Sequence, residues 1–413
     1  MVERSKRQFR YAEYYKRFSP VTVRQRPYSR MLSGLGDAEV AVPDFACFAI
    51  WEDARQQEDL VVEKIRQNFE IIGDFNVFWT DENYQSNVAR LYERPYRKGP
   101  FKKYSKKVGK PPFKFIVVRD DRPVYRWAVS SSGKVEPTNL NVVNLKYEVR
   151  GFFSRDFLVH SSNNYDEFQF QAALILGIET LEELLSGAVR LQETVHKDLQ
   201  GAGEWSSWEE FFATMSYCTD YLVLRNFEEL PARMNEADVD FLCADYQRFA
   251  SAANVLQREG KPYKGRLQVA GQSVSADIRF PGDGYYPQRW QLEMLSRRVH
   301  DGKLTIPAPD DLFFSLLYHA KVQKKDIKET YVRKLTDLAD MLEFKEFAEA
   351  DLVDNERMAN MISGYMRSNN YYREMPTDKN VYIKREIFEK LPMLTQGQQR
   401  RFLRKLRKKF FGK

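Results

Sequence analysis

Three aspartates carry the chemistry most readily read from this chain. Asp238 and Asp240 fall in the run Ala237-Asp238-Val239-Asp240-Phe241-Leu242, and Asp277 in Ser273-Val274-Ser275-Ala276-Asp277-Ile278-Arg279-Phe280. Both runs read as short strands. Side chains alternate faces along a strand. Asp238 and Asp240 therefore share one face, with Val239 and Phe241 on the other. In the second run Ser275, Asp277 and Arg279 lie opposite Val274, Ala276, Ile278 and Phe280. If the two strands are neighbours, three carboxylates meet beside an arginine. A cluster of carboxylates that nothing neutralises is costly. A hard divalent cation such as Mg²⁺, shared with substrate phosphates, relieves that cost.

Several elements must hold these residues. An apolar strand over 221–224 ends at Arg225-Asn226. Asp245 reads as the N-cap of a helix running to a stop at Gly260, with Tyr246, Phe249, Ala250, Ala253 and Leu256 as its apolar face. Residues 266–270, the Gly271-Gln272 turn and residues 273–280 read as a hairpin. After Pro307-Ala308-Pro309-Asp310, an apolar helix is predicted over 312–322, with further helices to about 367. Upstream, strands are predicted over 48–50, 75–79 and 113–119. Helical spacing covers 60–69, with Val61, Ile65 and Phe69 on one face, and also 166–176 and the amphipathic stretch 178–199. The expected class is α+β. The expected divisions are a polar, basic arm at 1–43, one domain at 44–200, a second at 201–375, and an extension with a basic amphipathic tail at 376–413.

With 413 residues, 43% hydrophobic and 14% aromatic, the chain has enough apolar material for sizeable cores. No apolar run nears the roughly 18 residues needed to span a bilayer. The N-terminus lacks an apolar signal core, so the expected location is cytoplasmic. Cys47, Cys218 and Cys243 are widely spaced, which fits buried thiols in a reducing compartment. The net charge is +7, yet the eight basic residues of 400–413 exceed it, leaving the rest of the chain nearly neutral.

The order of strand, Arg225-Asn226 turn, Asp-x-Asp strand, helix and Asp277 strand resembles the DNA polymerase β-like nucleotidyltransferase superfamily. The resemblance covers about 205–370 and includes the proline-containing run Ile306–Leu312. It implies a mixed sheet with a helical extension. It also implies phosphoryl chemistry with Mg²⁺ held by Asp238, Asp240 and Asp277, Asp277 being a possible base. Arg225 and Arg279 would bind phosphate oxygens, and Asn226 would donate a hydrogen bond. Family members usually carry Gly-Ser or Gly-Gly where this chain has Arg225-Asn226. Divergent members that move a phosphorylated alcohol from a CDP-linked donor onto a glycan also vary there.

A second motif is His160-Ser161-Ser162-Asn163-Asn164-Tyr165-Asp166-Glu167. It resembles the His-Gly-Ser-Asp-Ser segment of nucleoside diphosphate kinases, and Arg150-Gly151-Phe152-Phe153 resembles that family's Arg-Gly-Asp-Phe segment. The likeness covers about 45–180. It implies a ferredoxin-like α/β sandwich, with His160 as a phosphohistidine nucleophile and Arg150 at the nucleotide. The alternative is a histidine capping the helix that follows it. The kinases' lysine at the end of the first strand is replaced by Trp51-Glu52.

Basic segments suggest partners. In the tail, Phe402, Leu403, Leu406 and Phe410 share a helical face opposite cations. That pattern suits either an anionic membrane surface on the cytoplasmic side or docking on the protein's own core. The loop from Arg94 to Lys114 interleaves cations with aromatics, as single-stranded nucleic acid binders do. The leading expectation is a Mg²⁺-dependent nucleotidyl- or phosphotransferase. Its donor would be nucleotide-linked and its acceptor a sugar, alditol phosphate or glycolipid of surface-polysaccharide biosynthesis. The alternatives are an RNA-directed nucleotidyltransferase and a non-catalytic nucleotide-binding scaffold.

Overall fold

Alternating and helical periodicities resolve into a mixed α+β structure with two five-stranded sheets. The computed structural model describes residues 10–21, 38–39, 42–94, 109, 111–130, 133–155, 157–187, 190–234, 238–258 and 261–394. The basic tail at 400–413, most of the basic loop and most of the arm lie outside these residues. Among the described residues no helix is long and apolar enough to cross a membrane.

The part of the arm that is described is built into the fold. A short helix α1 (Tyr11–Tyr15) buries Tyr11 and Tyr14. The first half continues with β1 (Asp44–Ile50), α2 (Glu58–Asn68), β2 (Glu70–Val77), α3 (Tyr84–Leu91), β3 (Phe113–Asp120), the pair β4 (Val124–Val129) and β5 (Val135–Asn139), α4 (Leu140–Arg150), β6 (Val159–Ser161), α5 (Tyr165–Leu176), α6 (Ile178–Ser186) and β7 (Leu191–Val195). The main sheet has the order β6-β1-β3-β2-β7. Its first four strands are antiparallel, and β7 joins β2 in parallel. Alternation sets the two faces. Phe48, Ile50, Ile116 and Val118 pack with Val61 and Ile65 of α2 and Val142, Leu145 and Val149 of α4. Cys47, Ala49, Phe115 and Val117 belong to a core that runs on into the second half.

The second half comprises α7 (Trp208–Cys218), β8 (Tyr221–Arg225), β9 (Asp238–Cys243), α8 (Tyr246–Ala252), β10 (Leu256–Arg258), β11 (Lys261–Val269), β12 (Gln272–Arg279), α9 (Gln288–Arg297), α10 (Pro309–Val322), α11 (Glu329–Met341), α12 (Asn355–Ser368) and α13 (Arg385–Phe388). Its sheet has the order β8-β9-β12-β11-β10, with β9 and β12 parallel and the other pairs antiparallel. The halves are clasped by Arg90, a buried cation that donates to the carbonyls of Gln200, Ser251 and Ala252 at 2.6–2.9 Å.

Two predicted helices end early. Asp245 does cap α8, accepting from the Arg248 amide, but the helix stops at Ala252 rather than Gly260. Asn254 takes a left-handed conformation (φ 54°), and its amide donates to the carbonyls of Gly201 and Ala202. Asparagine tolerates that conformation better than most residues. The stretch 178–199 divides because Gly187 is a left-handed C-cap, after which β7 begins. The described part of the extension is anchored in the core by Ile387, Phe388 and Leu391.

Candidate functional site

The two aspartate strands are neighbours, as the alternation argument required. They run parallel with Asp240 opposite Asp277 and Asp238 opposite Ser275. On the outer side of β9, Arg225 pairs with Asp240, and beyond β12, Lys264 pairs with Asp277. One row of side chains thus crosses four strands in the order Arg225, Asp240, Asp277, Lys264. Val239, Phe241, Ala276 and Ile278 hold the row in place by filling the core on the opposite face.

Arg225, Asp240, Asp277 and Arg279 are buried. Arg225 Nη2 lies 2.8 Å from Asp240 Oδ1. Arg279 meets Asp277 through Nε at 2.6 Å and Nη2 at 2.9 Å. Lys264 Nζ stands 3.3 Å from Asp277 Oδ2. The expectation of uncompensated carboxylates is therefore corrected: arginines hold the two deeper ones. Asp238 is half-buried at the start of β9 and makes no hydrogen bond or ion pair among the described residues.

Burial raises the Asp240 carboxyl above the usual range. Arg225 opposes this, while the nearby charges of Asp277 and Asp238 add to it. Asp240 therefore senses both other carboxylates. Burial works against the Arg225 cation, but Asp240 and, after it, Tyr285, Tyr286 and Tyr331 together outweigh burial and keep it charged. Behind the row, Tyr285 Oη accepts from Arg225 Nη2 at 3.1 Å and lies 2.9 Å from His319 Nδ1. Burial, with Arg225 beside it, keeps His319 well below its ordinary value and so neutral.

As hard oxygen donors, the three carboxylates fit Mg²⁺ in kind. Their spacing here does not enclose an ion: among the described residues no group of three or more His, Cys, Asp or Glu side chains is arranged to hold one. Asp277 Oδ1 is buried without a well-aligned hydrogen bond, although it touches Arg279.

The turn after β8 explains the residue that replaces glycine. Asn226 has φ 59°, the left-handed region that glycine usually supplies. Its side chain accepts from Lys334 at 3.0 Å rather than donating into the site. Lys334 also pairs with Glu228, which accepts from Tyr11 of α1. The N-terminal helix is thereby tied to this turn.

His160 is not brought to the carboxylates. It lies on β6 in the other sheet, buried, with Nε2 2.8 Å from the Gln171 amide nitrogen and the Tyr92 ring edge-on at 5.1 Å. It does not cap the helix after it: Asn164 does, accepting from the Glu167 amide. Arg150 donates to the Val159 carbonyl at 2.8 Å and so pins β6. Burial lowers the His160 pKa to about 3, with Lys146 and Arg150 adding to the shift. Its stabilising contribution is therefore full above the unfolded value near 6.5 and is lost as the pH falls toward the folded value. Acidification from pH 7 to 5 should cost about 2 kcal/mol through this group. His319 has the same sign, so the check is a difference. Denaturant unfolding of His160→Gln at both pH values should show a smaller acid loss than the wild type. Equal losses would mean that His160 is solvated.

Lys264, Tyr285, His319 and Asp378 escaped the sequence reading. Extending the predicted hairpin strand back from Arg266 by period two would have found Lys264, on the same face as Arg266. Tyr285 follows Arg279 by six residues in a loop with no period to place it, and His319 and Asp378 are distant in the chain. A cleft of about 1080 Å³ between the halves, lined in part by Gln169, Arg248 and Arg298, contains none of the predicted site residues. Comparison with known proteins adds no assignment: no family model, curated protein or solved structure matches the chain.

Proposed function

We propose that this chain is a nucleotidyl- or phosphotransferase with a nucleotidyltransferase-type second half and a ferredoxin-like first half. The in-register row Arg225–Asp240–Asp277–Lys264, beside Asp238, which has no partner among the described residues, carries the reading. The left-handed turn at Asn226 supports it, keeping the backbone shape that glycine gives the resembling family. The order β6-β1-β3-β2, with α2 and α4 on one face, supports the ferredoxin-like assignment.

In this reading Asp238, Asp240 and Asp277 would hold Mg²⁺ that arrives with the donor, the donor's phosphate oxygens completing a ligand set that the carboxylates do not enclose alone. Such an ion would supply charge neutralisation to the phosphate and would make an acceptor hydroxyl more acidic. Arg225, Arg279 and Lys264 bind phosphate oxygens, the arginines through their planar forks. Tyr285 orients Arg225 from behind. The acceptor class we propose is a sugar, alditol phosphate or glycolipid, supported by the basic amphipathic tail pattern in the sequence. His160 has no role in the transfer.

The test is a thermal-shift panel of the four ribonucleoside triphosphates, CDP-alditols and nucleotide sugars, each with and without Mg²⁺. The expected result is a Mg²⁺-dependent rise in Tm with one donor class. If no donor shifts the transition, the transferase reading is abandoned.

A further inference from the structure

We propose that Asp378 stands on Arg279 where a donor phosphate oxygen binds, so that the segment 372–384 is a strap whose acid a phosphate must displace. This rests on the reading of the carboxylate row as a phosphate site. It adds a subsite, a competitor for that subsite, and a part of the chain outside both sheets.

The strap is fixed at both ends. Tyr371 is buried and stacks on Trp290, with centroids 5.5 Å apart and planes 7° from parallel. At the other end the Lys384 amide donates to the Val322 carbonyl at 2.8 Å, and α13 follows into the core. Between these anchors the strap lies directly on the loop after β12. Gly284 has φ 72°, and a Cβ there would come 2.2 Å from the Met375 carbonyl oxygen. The Thr377 amide donates to the Asp283 carbonyl at 2.8 Å, and Tyr263 Oη is 2.6 Å from Thr377 Oγ1.

Thr377, Lys379 and Asn380 are exposed, whereas Asp378 between them is buried. An exposed strap thus inserts one acid into the site. Asp378 Oδ1 is used by the strap itself, accepting from the Asn380 amide and side chain at 3.0 Å. Only Oδ2 reaches Arg279, lying 3.3 Å from both Nη1 and Nη2.

Those contacts are longer than the roughly 2.7–2.9 Å of a good charge-assisted bond. Asp277 is closer, accepting from Nη2 at 2.9 Å and lying 2.6 Å from Nε in an ion contact that is not a well-aligned hydrogen bond. Among the described residues Nη1 donates only to Asp378. Arg279 therefore has one edge committed within its own strand and one edge loosely held from the strap. A tetrahedral phosphate can offer two oxygens to that loose edge, which a carboxylate already tied into a turn cannot. Residue types agree with the assignment: Lys264 borders the same carboxylate, Asp277, and adds a second cation for the incoming group.

The experiment is calorimetric titration of Mg²⁺-pyrophosphate into the full-length wild type, Asp378→Asn and Glu374→Gln. Asparagine keeps the shape and the bond to the Asn380 amide but removes the charge that competes. Glu374 lies on the same strap, accepts from the Gln288 amide at 3.1 Å, and serves as a control for charge alone. Asp378→Asn should bind about 5-fold more tightly, as expected when a weak competing ion pair is removed, with Glu374→Gln unchanged. Unchanged or weaker binding in Asp378→Asn, or equal tightening in both variants, overturns the strap and leaves the phosphate site standing. If neither the wild type nor Asp378→Asn takes up pyrophosphate, the phosphate reading fails and the strap fails with it.

Discussion

Arg225→Met should lower the unfolding free energy by about 3–5 kcal/mol, and adding Asp240→Leu should restore most of that loss. Both side chains are over nine-tenths buried, and their contact is 2.8 Å. Removing the cation strands a carboxylate in a low-dielectric site, with Asp277 opposite it in register, repulsion from Asp277 and Asp238, and only the weaker pull of Arg279 to offset it. Removing both charges and filling the space apolarly ends that penalty. The exposed pair Arg333–Glu329 is the contrast, since a solvated helix pair contributes only about 0.3–0.5 kcal/mol. The pH sign is also fixed. Without Arg225, Asp240 has a higher folded pKa still, so the variant's deficit should shrink as the pH falls and Asp240 is protonated. Denaturant unfolding at pH 7 and 5 measures both effects. A single-variant cost under about 1 kcal/mol would mean that water reaches the pair and the row is not a buried one.

That row was half legible in the sequence. Period-two alternation placed Asp238 with Asp240 and Asp277 with Arg279, because a strand admits no other phase once Val239, Phe241, Ala276 and Ile278 go inward. Their adjacency was conditional. It depends on β10 and β11 being laid at the sheet edge, so that β12 returns beside β9. Nothing local encodes that excursion. The neutralisation of Asp240 was missed for the same reason, since Arg225 lies 15 residues away; Arg279, only two residues from Asp277, was already on the face of the carboxylate it holds. Helix ends failed where one asparagine took a left-handed conformation in place of the expected glycine, as at Asn254. At His160 the expectation was either a motif nucleophile or a cap formed by the histidine itself, and Asn164 was not considered as the cap. Asn164 three residues before Glu167 is a cap spacing, and the cap makes the histidine a strand residue facing Gln171.

Asp238→Asn should abolish the Mg²⁺-dependent thermal shift of whichever donor responds, leaving the melting temperature without ligand unchanged. The two halves of this prediction have separate causes. Asp238 is half-buried and without a partner among the described residues, so its loss leaves no cation stranded and no hydrogen bond broken. Asp240 and Asp277 cannot serve for this test, since each is held by an arginine and would confound binding with folding. A carboxylate with no partner among the described residues, beside two paired ones, is also the one most free to ligate an incoming cation. Even a residue that only supports a ligand costs about 10–100-fold in metal affinity or activity when changed, so a direct ligand should cost at least about 100-fold. A donor present at a hundred times its Kd stabilises the wild type by about 2.7 kcal/mol; a 100-fold weaker site retains about 0.4 kcal/mol, which the transition will barely register. A full shift in Asp238→Asn would remove Asp238 from the site and with it the three-carboxylate reading. A lowered ligand-free melting temperature would instead show that Asp238 holds the fold.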